Sequence, residues 1–166
     1  WCLHASAVAI GGAVIAFAGE SGAGKSTLAA FLHATGGGAC CLRVADDILP
    51  VRLGPAGLYA LPHFPQLKLP DAGQYPPDAL PRVPLKAIYR LEGAASPLRL
   101  LSLGLPDATK AIIGNTVASR LFDGGLLARH LGFCAEAAGR VQVHSLGYPH
   151  RTDSLQWVQR CIEPVR

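Results

Sequence analysis

A chain of 166 residues, half of them hydrophobic and only 16% charged, has enough apolar material for a buried core and excludes a disordered tail. Its net charge of +4 comes from eleven Arg and four Lys against eleven acids; with no basic cluster and no basic-aromatic stripe, it suits a polyanionic small ligand better than nucleic acid, which is not expected as a partner. No apolar run reaches the ~18 residues of a membrane span, and residues 3–18, which come nearest, are broken by His4, Ser6 and Gly11-Gly12, so neither a membrane segment nor a signal peptide is expected.

In chain order, residues 3–10 read as a strand, Gly11-Gly12 as a two-residue hairpin turn with positive φ, and residues 13–18 as the returning strand. A glycine-rich stretch follows, then a helix over 27–35 that stops at Gly36-Gly37-Gly38. Residues 41–47 form a strand ending in Asp46 and Asp47. Residues 48–53 and 58–61, separated by Gly54-Pro-Ala-Gly57, make a second hairpin. Residues 62–84 hold seven of the thirteen prolines and read as a long functional loop with room for one helical turn near 78–80. Strands are expected over 86–92, 97–103 and 141–146, and helices over 108–122, 126–138 and 152–162. The pattern is α/β: a mixed sheet containing hairpins, flanked by helices. We read it as one domain over residues 1–166, and the lack of any Met as the mark of a core trimmed from a longer protein. The five cysteines (Cys2, Cys40, Cys41, Cys134, Cys161) are odd in number and lack C-x-x-C spacing, which argues against zinc and for free thiols in a reducing cytoplasm.

The stretch Gly19-Glu20-Ser21-Gly22-Ala23-Gly24-Lys25-Ser26 fits G-x-x-x-x-G-K-[ST] at every fixed position, and Thr27 opens the helix after it. With this chain's own residue frequencies the chance of such a match is on the order of a few in a thousand. Its position between an apolar strand and a helix is the context the pattern needs. Glycines let successive N–H groups turn inward as an anion nest at a helix N-terminus. Lys25 carries a point charge to the β/γ-phosphates, and the Ser26 hydroxyl can ligate a Mg²⁺ shared with them. A nucleotide, ATP with Mg²⁺, is the expected ligand of residues 19–27.

With Gly11-Gly12 as the turn, paired positions sum to 23, so Ile10 faces Ala13 and His4 faces Gly19. That register brings His4 within reach of the γ-phosphate region. Asp46 and Asp47 end the strand after the helix, where an acid completes a Mg²⁺ shell in P-loop proteins. Adjacent acids on a strand point to opposite faces, so one can face the metal while the other takes a hydroxyl proton. Either aspartate can be the base, with Asp47 as base and Asp46 as metal partner the preferred order. Lys86, Arg90 and Glu92 alternate on one strand, as a solvated face or a charged cleft wall. His63, Lys68 and Arg120 are weaker candidates for substrate or phosphate contact, and Glu20 is expected to face solvent.

Together these residues resemble the catalytic domain of the HPr kinase/phosphorylase family. The matching segments are Leu3-His4-Ala-Ser6, the Gly19–Ser26 loop and Val44-Ala45-Asp46-Asp47, about the first third of the chain. The resemblance implies the P-loop architecture shared with phosphoenolpyruvate carboxykinase, ATP held by Lys25 and the loop amides, Mg²⁺ on Ser26, an aspartate as base for a substrate serine, and His4 supporting that aspartate. It also hints at homo-oligomers. Thr27 stands where the family motif carries glutamate, and the later Glu-Val-Arg-Gly-Leu-Gly signature is not found. The chain more closely resembles the shorter HPr-kinase-like proteins of peptide-modification gene clusters, including kinases of lasso-peptide precursors, and Pro84-Leu-Lys-Ala-Ile-Tyr-Arg-Leu-Glu92 resembles a segment of that group. The leading expectation is a Mg²⁺·ATP-dependent kinase acting on a serine of a peptide or small protein. The alternatives are a nucleotide-dependent accessory ATPase or switch, and a small-molecule kinase.

Overall fold

The computed structural model describes residues 1–36, 41–64, 66, 69 and 81–162. Cys40, Lys68 and the helical turn expected near 78–80 lie outside them.

Strands β1 (Cys2–Ile10) and β2 (Ala13–Ala18) form the expected hairpin, with Gly11 at φ 57° and Gly12 at φ 80°. The ladder runs from Ile10↔Ala13 to Ala5↔Ala18, every pair summing to 23. Alternation along β1 splits its residues between two cores. Leu3, Ala5, Ala7 and Ala9 face one side, and Val8 faces the other with Ile15 and Phe17 of β2. His4 and Ser6 share Val8's parity and thus its face.

After the glycine loop comes α1 (Lys25–Thr35), then β3 (Cys41–Ala45), β4 (Ile48–Gly54) and β5 (Gly57–Ala60). The second hairpin turns at Pro55-Ala56, as the sequence suggests. Asp46 and Asp47, however, do not end a strand. β1 pairs antiparallel with β3 over Ala7–Ile10 and with β4 over Cys2–His4, so the two are halves of one ribbon bent at the aspartates. Asp47 takes φ 78° there, and its carbonyl accepts from Ala5 N at 3.2 Å. Left-handed backbone is tolerated best by Gly, Asn and Asp, so an aspartate can occupy the bend.

Strand β6 (Val83–Leu91) pairs antiparallel with β5 at its start and parallel with β2 and β8 further on. The ladders β2–β1–β4–β5–β6–β2 therefore close a ring, with β8 (Gln142–Gly147) and β7 (Arg99–Ser102) extending beyond β6. Helices α2 (Leu105–Gly114) and α3 (Gly124–Ala138) cover one face, where Ile112, Phe133 and Ala137 meet Leu3 and Ala5. The other face carries α1 and α4 (Thr152–Ile162), where Leu28, Leu32, Leu155 and Val158 meet Phe17 and Tyr89. No helix among the described residues is long and apolar enough to cross a membrane. Among them Cys2, Cys41, Cys134 and Cys161 are free thiols.

The helix expected over 108–122 breaks in two. It ends at Gly114, a short 3-10 turn follows at Ser119–Leu121, and Ala118 between them has φ 58°. The cause is tertiary. Residues 115–117 peel off to pair with the start of β1: His4 N donates to Asn115 O at 2.6 Å, Val117 N to Cys2 O at 2.9 Å, and Leu3 bridges Thr116. Thr116 Oγ1 donates to Ile112 O at 3.0 Å, a second donor beside Asn115 N at 3.2 Å at the helix end.

Candidate functional site

The loop from Gly19 to Ser26 connects a buried strand to α1, whose N-cap is Gly24 at φ 91°. The first turn of α1 has no acidic residue and no side-chain cap. Its N–H groups and the positive end of the helix dipole thus remain for an anion. Lys25 is buried and folds back across the loop, donating from Nζ to Gly19 O at 2.9 Å and Glu20 O at 2.8 Å. Glu20 and Ser21 are exposed at the rim, Ala23 is buried beneath it, and Thr27 is exposed on the first turn of α1. Tyr148 walls the far side: a Cβ on Gly24 would lie 3.0 Å from its hydroxyl.

Beside the loop, Asp46 gathers three partners. Ser26 Oγ donates to Asp46 Oδ1 at 2.6 Å and Ser6 Oγ to the same oxygen at 2.7 Å, while Arg43 Nη2 lies 3.3 Å from Oδ2. The backbone around Asp46 is held by Gln66, whose Oε1 accepts from Asp46 N at 3.0 Å and whose Nε2 donates to Ile48 O at 2.9 Å. No group of three or more His, Cys, Asp or Glu suited to a metal occurs among the described residues. A hydroxyl and one carboxylate are instead the donor set that Mg²⁺ takes when phosphates and water fill its remaining positions, so Ser26 and Asp46 fit that ion.

Asp47 comes to the other side of the same corner, its Oδ1 4.0 Å from His4 Nε2, both side chains about two-fifths exposed at 36% and 41%. Regular alternation would send adjacent acids to opposite faces. The left-handed turn at Asp47 breaks it, and both acids meet the β1 face that carries His4 and Ser6. The expected register needs one correction at this end. The ladder stops at Ala5↔Ala18, and His4 reaches Gly19 through Asn115, which takes the His4 N–H on its main chain and the Gly19 N–H on its side chain at 2.8 Å.

A cavity of about 720 Å³ opens at the loop rim, lined by His4, Gly19–Ala23, Arg90–Gly93, the end of α2 and His150. Lys25, Ser26 and the two aspartates lie beyond its lining. Of the three alternating charges expected on one strand, Arg90 and Glu92 line this cavity. Lys86 does not, because the β2–β6 register shifts between Val14 and Ile15, opposite Leu85–Ala87. Arg120 sits exposed on the 3-10 turn, away from the cavity lining, and His63 is exposed on its loop.

Glu92 accepts from Ser145 Oγ of β8 and pairs with Arg90 Nη2 at 3.1 Å. The Ser145 hydrogen bond, aided by Arg90 and Arg99, holds its carboxyl below the ordinary carboxylate value against the opposing effect of burial. A depressed folded value means that the ionised carboxylate's stabilisation is complete above the unfolded value and is lost as pH falls through the folded one. Ser145→Ala is therefore expected to move the Glu92 titration up toward the ordinary range, read from the side-chain carboxyl carbon by NMR. An unmoved titration would assign the shift to the arginines alone.

Sequence reasoning passed over Arg43, Gln66, Tyr148 and Asn115. Only Asn115 left a signal: Gly114-Asn115 is a helix-stop pair inside a segment read as continuous helix.

No protein-family model and no curated protein matches this chain. Among solved structures it is similar to the HPr(Ser) kinase/phosphatase from Coxiella burnetii, with a TM-score of 0.53 and 14% identity over 99% of this chain and 89% of that one. The likeness is one of fold: a mixed α/β sheet with four helices, of the HPr-kinase type.

Proposed function

We propose that the chain is a Mg²⁺·ATP-dependent kinase that transfers the γ-phosphoryl group to a serine hydroxyl of a peptide or small protein, as in the short peptide-modifying branch that its sequence resembles. The observation that carries this reading is the Asp46 corner. The hydroxyl that ends the glycine loop and the acid at the bend between β3 and β4 meet at 2.6 Å, with Lys25 folded over the loop beside them. Loop amides and Lys25 would hold the triphosphate, and Ser26 with Asp46 would hold Mg²⁺. That ion, when bound, supplies neutralisation of phosphate charge.

In the transfer, the acceptor oxygen bonds to Pγ as the bond from Pγ to the β–γ bridging oxygen breaks. The acceptor proton passes to Asp47, and ADP departs. His4 stands 4.0 Å from Asp47 and orients its carboxylate. Catalysis of this kind is mainly positioning and charge stabilisation.

Incubation with γ-labelled ATP, Mg²⁺ and serine-containing peptides tests it. Label on the peptide is the expected result. Free phosphate alone would replace the kinase by an accessory ATPase, and label on a metabolite by a small-molecule kinase. Calorimetry that detects no nucleotide binding in the presence of magnesium would end the reading altogether.

A further inference from the structure

Asn115 occupies a place that no loop motif announces. At the open end of the first hairpin, where β1 and β2 part, it bonds to β1 and to the first residue after β2. Its main-chain carbonyl accepts from His4 N at 2.6 Å, its side-chain Oδ1 accepts from Gly19 N at 2.8 Å, and its Nδ2 donates to Ala111 O at 2.8 Å. With oxygen and nitrogen both engaged, the amide is locked in one orientation. The next residue is anchored as firmly. Thr116 Oγ1 gives its proton to Ile112 O, so it accepts from the fully buried His130 Nε2 at 2.8 Å.

Gly19 is held from its other side as well. Its φ is +140°, and a Cβ there would lie 2.8 Å from the carbonyl oxygen of Leu91 on β6. The first glycine of the loop is thus clamped between the end of β6 and the end of α2. Its N–H points to Asn115 and does not serve the anion. This leaves the later amides to turn toward a phosphate, and it fixes the carbonyl of Gly19 on which Lys25 Nζ rests at 2.9 Å.

We infer that Asn115 is a positioning residue for the nucleotide site: it sets the entry angle of the glycine loop through the Gly19 amide and couples that angle to α2 and to the backbone of His4. The inference rests on the nucleotide reading above and adds a residue outside the loop to it. Removing the side chain frees Gly19 N–H and Ala111 O but leaves the main-chain bond to His4 intact. The effect should therefore fall on the loop and spare the His4–Asp47 pair.

The test uses the whole chain, a fluorescent ATP analogue with magnesium, and the variants Asn115→Ala and Thr116→Val. Thr116→Val loosens the same junction without touching Gly19. Asn115→Ala is expected to weaken analogue binding about tenfold, the scale of a lost and unreplaced hydrogen bond in a preorganised loop. It should also speed exchange of the Gly19 amide in the ligand-free protein by a similar factor. Thr116→Val is expected to lower the melting temperature at least as much, yet leave affinity and Gly19 exchange within about twofold of the parent. Should Asn115→Ala fail to fold, Asn115→Ser, whose hydroxyl stops short of Gly19 N, takes its place. Unchanged affinity in the Asn115 variant, or equal weakening in both variants, overturns the inference. Absence of analogue binding by the unaltered chain overturns the nucleotide reading and, with it, this one.

Discussion

Lys25→Ala is expected to lower phosphoryl transfer on the order of 10²–10³-fold while the protein remains folded. The side chain is buried and donates to the carbonyls of Gly19 and Glu20. Both acceptors border the open cavity, where water can replace the lost donor. What water cannot replace is a fixed positive charge at the place where charge shifts toward the departing ADP. Initial rates with labelled ATP, alongside the thermal unfolding midpoint, check both halves. Full activity in this variant would dismiss the kinase proposal, and gross unfolding would show that Lys25 holds the loop as well as the ligand.

Asp46→Asn is expected to damage stability and metal dependence together. Asparagine keeps an oxygen for Ser6 and Ser26 but loses the charge that balances Arg43, whose side chain is only 16% exposed against 7% for the aspartate. Stranding a largely buried arginine costs about 3 kcal/mol, measurable by urea denaturation. The same variant should lose most of the gain in ATP affinity that magnesium gives the parent, because Ser26 alone offers the ion no protein charge. If magnesium strengthens ATP binding equally in parent and variant, the metal assignment of Asp46 fails. A matched Ser6→Ala change, which removes a neighbour of Asp46 Oδ1 and Ser26 Oγ but no charge, should affect stability mildly and leave the magnesium effect in place.

The parts of this arrangement that were legible in the sequence are those fixed by short-range rules. Period-two alternation around Gly11-Gly12 gave every pair of the β1–β2 ladder. The spacing from Gly19 to Ser26, set between an apolar strand and a helix, marks the loop, and Asp46 lies next to it. What failed depended on contacts distant in the chain. Asp46 and Asp47 read as a strand end, because nothing local reveals that β1 runs past both β3 and β4. The helix expected over 108–122 breaks because Asn115–Val117 exchange helical hydrogen bonds for bonds to β1, over a hundred residues earlier. Gln66, which braces the Asp46 backbone, sits in a proline-rich stretch where no periodicity marks one polar residue above another. Likewise the parallel pairing of β2 with β6, which closes the ring of strands, joins residues about seventy positions apart, as Val14 and Leu85 are.

The bend at Asp47 separates two properties that a carboxylate normally brings together. Its φ of 78° is a backbone demand, met by asparagine as readily as by aspartate and poorly by longer side chains, at about 1 kcal/mol or more. Conservative charge retention and conservative shape retention therefore lead to opposite outcomes at this position. Asp47→Asn should melt with the parent yet transfer no phosphoryl group, whereas Asp47→Glu should keep a titratable acid and melt earlier. Any lineage that retires the chemistry while keeping the scaffold has asparagine or glycine, and not glutamate, as its easy exit.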